Sequence, residues 1–222
     1  MQVVAAHSRS IKAFAGEYVM IVLSIVTALA LENGVRSYQQ AREAQEAARS
    51  LDAEIALNIA ETRSAIGHNT AQAQKVNGFK KILLADIKAG VGDKEAIRHT
   101  MAGQDFGVSM VTPSLQHEAW DVAVANQSLS HMPPAQLQRY AKQYASMRDL
   151  QAVLAGKGNG FLNLPQFSDT FSNFQMDELD ARALYRILTQ MGSLYETNAS
   201  MLQDLEKQLV EEQRRTLKLA QR

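Results

Sequence analysis

Residues 18–31 read YVMIVLSIVTALAL, fourteen positions without a charge. A bilayer span needs about 20 apolar residues at ~1.5 Å each. Reading back through Ala13, Phe14, Ala15 and Gly16 brings the stretch to nineteen positions and takes in Glu17. A carboxylate one turn inside the hydrocarbon edge reaches headgroups or water, so Glu17 is tolerable there. Residues 1–31 are therefore read as an N-terminal segment and membrane anchor, held by Glu17, Tyr18, Ile21, Ile25, Leu29 and Leu31. Two other readings stay open. Ala28-Leu29-Ala30 fits the small-x-small pattern of signal-peptide cleavage. An apolar helix this short also occurs in the core of a bundle.

Outward from this stretch, the composition limits the rest. The chain has 222 residues, enough for one domain with an appendage, and 46% of them are hydrophobic, enough for a real core. Lys+Arg and Asp+Glu both number 23, so the basic excess of a nucleic-acid binder is missing. With Cys at 0, disulfides, thiolate metal sites and cysteine nucleophiles are excluded. Only 4 prolines and 12 glycines are too few for a turn-rich β-sandwich.

From Glu32 to Lys88 the pattern is helical. Ala44, Ala48, Leu51, Ile55, Asn58, Thr62, Ile66, Asn69, Ala73 and Val76 make a stripe spaced by threes and fours. Asn58 and Asn69 on that stripe are expected to set register inside a bundle. Gly90-Val91-Gly92-Asp93 breaks the run, and 94–102 can form a short helix. Thr112-Pro113 reads as a helix start, with Thr112 capping and Pro113 in the first turn. That helix would run to about Leu129 and bury the single tryptophan, Trp120. Pro133-Pro134 would stop it and launch the next, 135–155, with Tyr140 and Tyr144 on its core face. Gly156-Lys157-Gly158-Asn159-Gly160 reads as a loop. Phe167, Phe171 and Phe174 then follow at i, i+4 and i+7, as core or as a docking patch. In the last helix, 176–222, Leu184, Leu188, Met191, Tyr195, Asn198, Leu202, Leu205 and Leu209 form a coiled-coil-like seam. Antiparallel pairing with the first stripe is the plainer arrangement, but that stripe is thin and Ala-rich, so the seam is expected to contribute to a homo-oligomer or larger membrane complex, with Asn198 pairing across it. The fold class is all-α: a transmembrane helix continuing into a helical bundle, residues 32–222, with long coiled-coil-like helices.

Chemistry is weakly signalled. His7, His68, His99, His117 and His131 form no i, i+3 or i, i+4 pair, and no HExxH occurs. The glycine loop lacks GxxxxGK[ST] spacing. No nucleophile motif stands out, and no metal or cofactor is expected.

Three segments in order resemble an uncharacterised family of bacterial single-pass membrane proteins. They are Glu17 followed by 21–35, IVLSIVTALALENGV; then Leu51-x-x-Glu54-x-x-x-Asn58; then Ala119-Trp120-Asp121-x-Ala123 with Leu129, Met132 and Tyr140-x-x-x-Tyr144. The resemblance spans about residues 13–150 and implies a short anchor, an amphipathic helix and a Trp-helix/Tyr-helix pair. The chain departs from the family pattern at Asn33-Gly34, where an Asn-Trp pair commonly closes the span. The family carries no assigned activity.

Arg9 and Lys12 precede the span, and Arg36 and Arg42 follow it, so only the α-amino group tips the positive-inside balance. The expectation is a bacterial inner-membrane protein, with its N-terminus cytoplasmic and its bundle periplasmic. It would act without catalysis, as an accessory or scaffold subunit of a cell-envelope complex or as a homo-oligomer. The alternatives are a periplasmic sensory or ligand-binding bundle, and an enzyme built on Glu118, Trp120 and Tyr140.

Overall fold

Proline first occurs at Pro113, so no residue before it forbids helical backbone. One helix accordingly runs from Val4 to Lys88 (α1, 85 residues), about 130 Å at ~1.5 Å per residue. The computed structural model describes the backbone of residues 4–102, 109–162, 172, 176 and 180–220, and side chains at 14–102, 109–156, 172, 176 and 180–215. The other described helices are α2 (Asp93–Met101), α3 (Glu118–Ala125), α4 (Pro134–Leu162) and α5 (Ala181–Ala220), with a single 3-10 turn at Ser128–His131. There is no strand among the described residues.

The ends of these elements follow from local chemistry. Gly90, at φ 74°, closes α1. The Gly90 N–H donates to Ile87 O and the Val91 N–H to Asp86 O, which is a Schellman stop. Asp93 and Glu95 in the first turn of α2 suit its positive end. Within α1, Gly67 sits on the exposed surface with nothing within 4 Å of an added Cβ. Gly67→Ala is therefore expected to stabilise the chain by about 1 kcal/mol, seen as a higher urea midpoint. A lower midpoint would place an undescribed neighbour there.

α5 lies antiparallel on α1. Arg63 pairs with Glu206 at 2.6 Å, Asn69 with Asn198 at 2.8 Å and Asn77 with Glu196 at 2.8 Å. The α5 seam is covered by this pairing. Leu184, Leu188, Met191 and Tyr195 pack on Ala73, Val76, Phe79 and Leu83 of α1 and on Ala96 of α2. Leu202 joins Ala65 and Leu154. Leu205 and Leu209 join Leu51, Ile55, Tyr140, Tyr144 and Met147. The expectation that this seam meets another chain is corrected: all of these residues and Asn198 are buried within one chain. Asn198 pairs with Asn69 of the same chain. The α1 stripe is narrow, but α2, α3 and α4 fill the space beside it.

Four local readings change. The last helix starts at Ala181 rather than 176, where Asp180 Oδ1 accepts the Arg182 N–H at 2.8 Å. Residues 109–117 are not helical, and α3 starts at Glu118 rather than Thr112. α3 ends at Ala125, short of Leu129, because Gln127 adopts φ 62° and Asn126 Oδ1 takes the Ser128 N–H at 3.0 Å. The backbone stays helical through Gly156–Gly160, where a loop was expected. Glycine costs a helix only ~1 kcal/mol, whereas proline costs ~3, and the next proline is Pro165. Phe167, Phe171 and Phe174 lie outside the described residues.

Candidate functional site

Residues 109–117 run along α1 as an extended strap, and α1 supplies its backbone hydrogen bonds. Asn69 Nδ2 donates to Val111 O at 2.8 Å, and the Val111 N–H donates to Asn69 Oδ1 at 3.0 Å. Asn58 treats Gln116 the same way, at 2.8 Å in both directions. His68 Nε2 lies 3.0 Å from Ser109 Oγ. The spacing fits: eleven helical residues at ~1.5 Å and five extended residues at ~3.3 Å both span about 16–17 Å. Pro113 and Leu115 turn inward while Ser114 turns out, the period of an extended chain. These paired amides outweigh the local helix-start signal at Thr112-Pro113. Asn58 and Asn69 thus register a strap against α1, and Asn69 also registers α5.

Below the strap, one buried carboxylate ties three elements together. Glu54 of α1 is 7% exposed. It accepts the Ala119 N–H at the start of α3 (2.8 Å) and the Tyr144 hydroxyl of α4 (2.6 Å). One turn lower, Tyr140 donates to Asp52 at 2.8 Å. The α3 N-terminus adds a favourable dipole for the Glu54 carboxylate. Burial pushes the Tyr140 phenol up to about 12, and pushes Tyr144 up as well, with Glu54 adding to it. Burial alone pushes Tyr195 up to about 12. A raised pKa means the folded state holds the proton longer than the unfolded chain does. For Tyr140 and Tyr195 the stabilisation is therefore complete below about pH 10, the unfolded value, and is lost as pH rises through about 12. The melting temperature should fall across that window, and the fall should shrink in Tyr140→Phe. An unchanged slope in that variant would show that Tyr140 is not a contributor.

The strap, α3 and α4 enclose a groove of about 380 Å³, lined by Gln116, His117, Trp120, Tyr144, Arg148 and Gln151 among others. Trp120 is stacked on Tyr144, with centroids 5.1 Å apart and planes at 30°. The expectation of a core tryptophan is corrected in degree: Trp120 is half-buried, because Tyr144 covers one side and the groove opens on the other. Trp120→Ala should accordingly cost less than the ~3–5 kcal/mol of a fully enclosed ring, measured by chemical denaturation. A cost inside that range would mean the groove side is closed. Tyr140 and Tyr144 are buried core residues. His117 Nδ1 sits 2.9 Å from Asp121 Oδ2. Backbone N–H groups at the start of α3, its own first, hold the Glu118 carboxyl below the usual carboxylate range. Tyr140 is turned onto Asp52 and Glu118 onto the His117 N–H, so these two engage separate partners.

At the other end of α1, Tyr18, Ile21, Ile25, Leu29 and Leu31 are exposed, each by more than half, and Glu17 is exposed beside them. An 18-residue window of this helix has mean hydropathy 2.0 and none of it is buried, so α1 is long and apolar enough to cross a membrane. No group of three or more His, Asp or Glu side chains that could hold a metal converges among the described residues.

No family model matches the chain, and no curated protein or solved structure matches it.

Proposed function

We propose that this chain is a membrane-anchored helical protein that acts by binding, without catalysis, as an accessory or scaffold subunit of a cell-envelope complex. The observation that carries the reading is a contrast along one helix. α1 leaves its apolar N-terminal window wholly uncovered, yet from Ala44 to Leu83 it buries a face against α2, α3, α4 and α5. Such a contiguous uncovered apolar surface far exceeds what a soluble monomer exposes. A bilayer around residues 14–31 would cover it and leave the bundle in water. Between them, residues 32–43 form a stalk of about 18 Å, exposed throughout except at the half-buried Gln40. In this proposal the membrane is a bacterial inner membrane and the bundle lies on its periplasmic side, an orientation that leans on the amino-terminal charge before the span.

The partner in this reading is another envelope subunit or a second copy. The α5 seam is already covered, so contact falls on other faces. Val122 (61% exposed) and Val124 (51%) on α3 are apolar and open. Beside them, a groove with Ala47, Ala119 and Ala123 in its lining is rimmed by Glu43, Glu46 and Glu118. The test is gentle detergent extraction of full-length protein, followed by cross-linking from a cysteine at position 122 on this naturally Cys-free background. A stoichiometric adduct supports the scaffold reading. A monodisperse monomer, with no adduct from intact membranes, removes it.

A further inference from the structure

We propose that the groove between the strap, α3 and α4 binds a small aromatic carboxylate. This goes beyond the scaffold reading and stands whether or not a protein partner is found. The walls are fixed before any ligand arrives. Asn58 clamps Gln116 through both its backbone groups, and Glu54 holds Ala119 and Tyr144 together. Gln151 Nε2 ties α4 to Leu115 O at 3.1 Å. Three sides of the groove are thus pinned by polar contacts, and preorganised walls lower the cost of binding.

The lining then specifies the ligand. At about 380 Å³ the groove suits a small molecule. Trp120 offers an aromatic surface already backed by Tyr144, the arrangement that favours a stacked ring. Arg148 lies one helical turn beyond Tyr144 on the same face of α4 and is exposed. Its guanidinium has no ion-pair partner among the described residues, whereas the other titratable pair of the lining, His117 and Asp121, is closed on itself at 2.9 Å. An unpaired guanidinium fork matches a carboxylate through two parallel hydrogen bonds. A ring on Trp120 and a carboxylate on Arg148 would use both features at once. An inorganic anion would leave the aromatic surface unused, and a neutral ring would leave the guanidinium unused.

Trp120 is the single tryptophan of the chain, so its fluorescence reports this groove alone. Full-length protein in detergent is titrated with benzoate, with its neutral isostere benzamide and with acetate, by fluorescence and by calorimetry. The expected result is saturable binding of benzoate at least tenfold tighter than of either control. Arg148→Gln should remove that preference while leaving the melting temperature unchanged, and Arg148→Lys should restore part of it. Equal binding of benzoate and benzamide, wild-type binding by Arg148→Gln, or no saturable signal with benzoate by either method would each overturn the proposal.

Discussion

Replacing Glu54 with alanine is expected to destabilise the bundle by about 3 kcal/mol. The substitution removes the acceptor of two donors, the buried Tyr144 hydroxyl and the half-buried Ala119 N–H. Each stranded donor costs ~1–3 kcal/mol, and relief from burying a carboxylate offsets part of the sum. The same side chain also sits at the N-terminus of α3, so the helix loses a favourable charge there. Glu54→Gln should cost less, because one amide oxygen still accepts from one donor. The cleanest reading comes from a double-mutant cycle with Tyr144→Phe. If the contact is as described, the two changes together cost less than the sum of each alone. A single Glu54→Ala effect within ~0.5 kcal/mol of wild type in urea unfolding, the size of an ordinary surface change, would show that water reaches this carboxylate.

The long helices were legible because each is encoded by its own spacing. Leu184, Leu188, Met191, Tyr195, Leu202, Leu205 and Leu209 repeat by threes and fours, and each of them is buried. The α1 stripe held for the same reason, with Ala65 taking the fully buried place where Ile66 was expected and Ile66 left partly buried. The strap was not legible. Thr112-Pro113 carries a sound local helix signal, and what overrides it is the grip on the preceding Val111 by Asn69, 42 residues before it in sequence. A single sequence shows that Asn58 and Asn69 lie on an apolar stripe. It does not show that a backbone segment, rather than a neighbouring helix, will take their amides. The groove was missed with the strap, since the strap forms one of its walls. The apolar neighbours of Trp120, namely Ala119, Val122, Ala123 and Val124, point to a core position in the sequence. Of these, Val122 and Val124 turn out to be exposed, so α3 is too short and too peripheral to enclose the ring. Glu54 had a partial signal: a carboxylate four residues before Asn58 on the same face, beside a stripe that otherwise excludes charge.

Ile25→Arg is expected to impair membrane insertion by ~2.5–3.5 kcal/mol, the translocon cost of a cation near the helix centre. Ile25 is six residues from Leu31, about 9 Å along the helix, and 54% exposed with no protein side chain to shield it. An arginine there can reach the interface only by snorkelling, at the expense of its hydrocarbon stem. Val35 is the matched control. It is exposed to a similar degree at 58%, on the same helix, but lies past Leu31 in the stalk. Val35→Arg should leave carbonate-resistant sedimentation unchanged, while Ile25→Arg lowers it. The pair separates the three readings of the apolar stretch. An anchor makes the two variants differ in membrane retention. A cleaved leader gives a soluble product starting at Leu31 from the wild-type chain. A helix end covered by another protein in water leaves wild type soluble after carbonate, and Ile25→Arg then breaks that protein contact instead. The face from Phe14 to Leu31 is exposed and has no cover among the described residues, and the position-dependence of a single arginine tells a bilayer from a protein partner as what covers it.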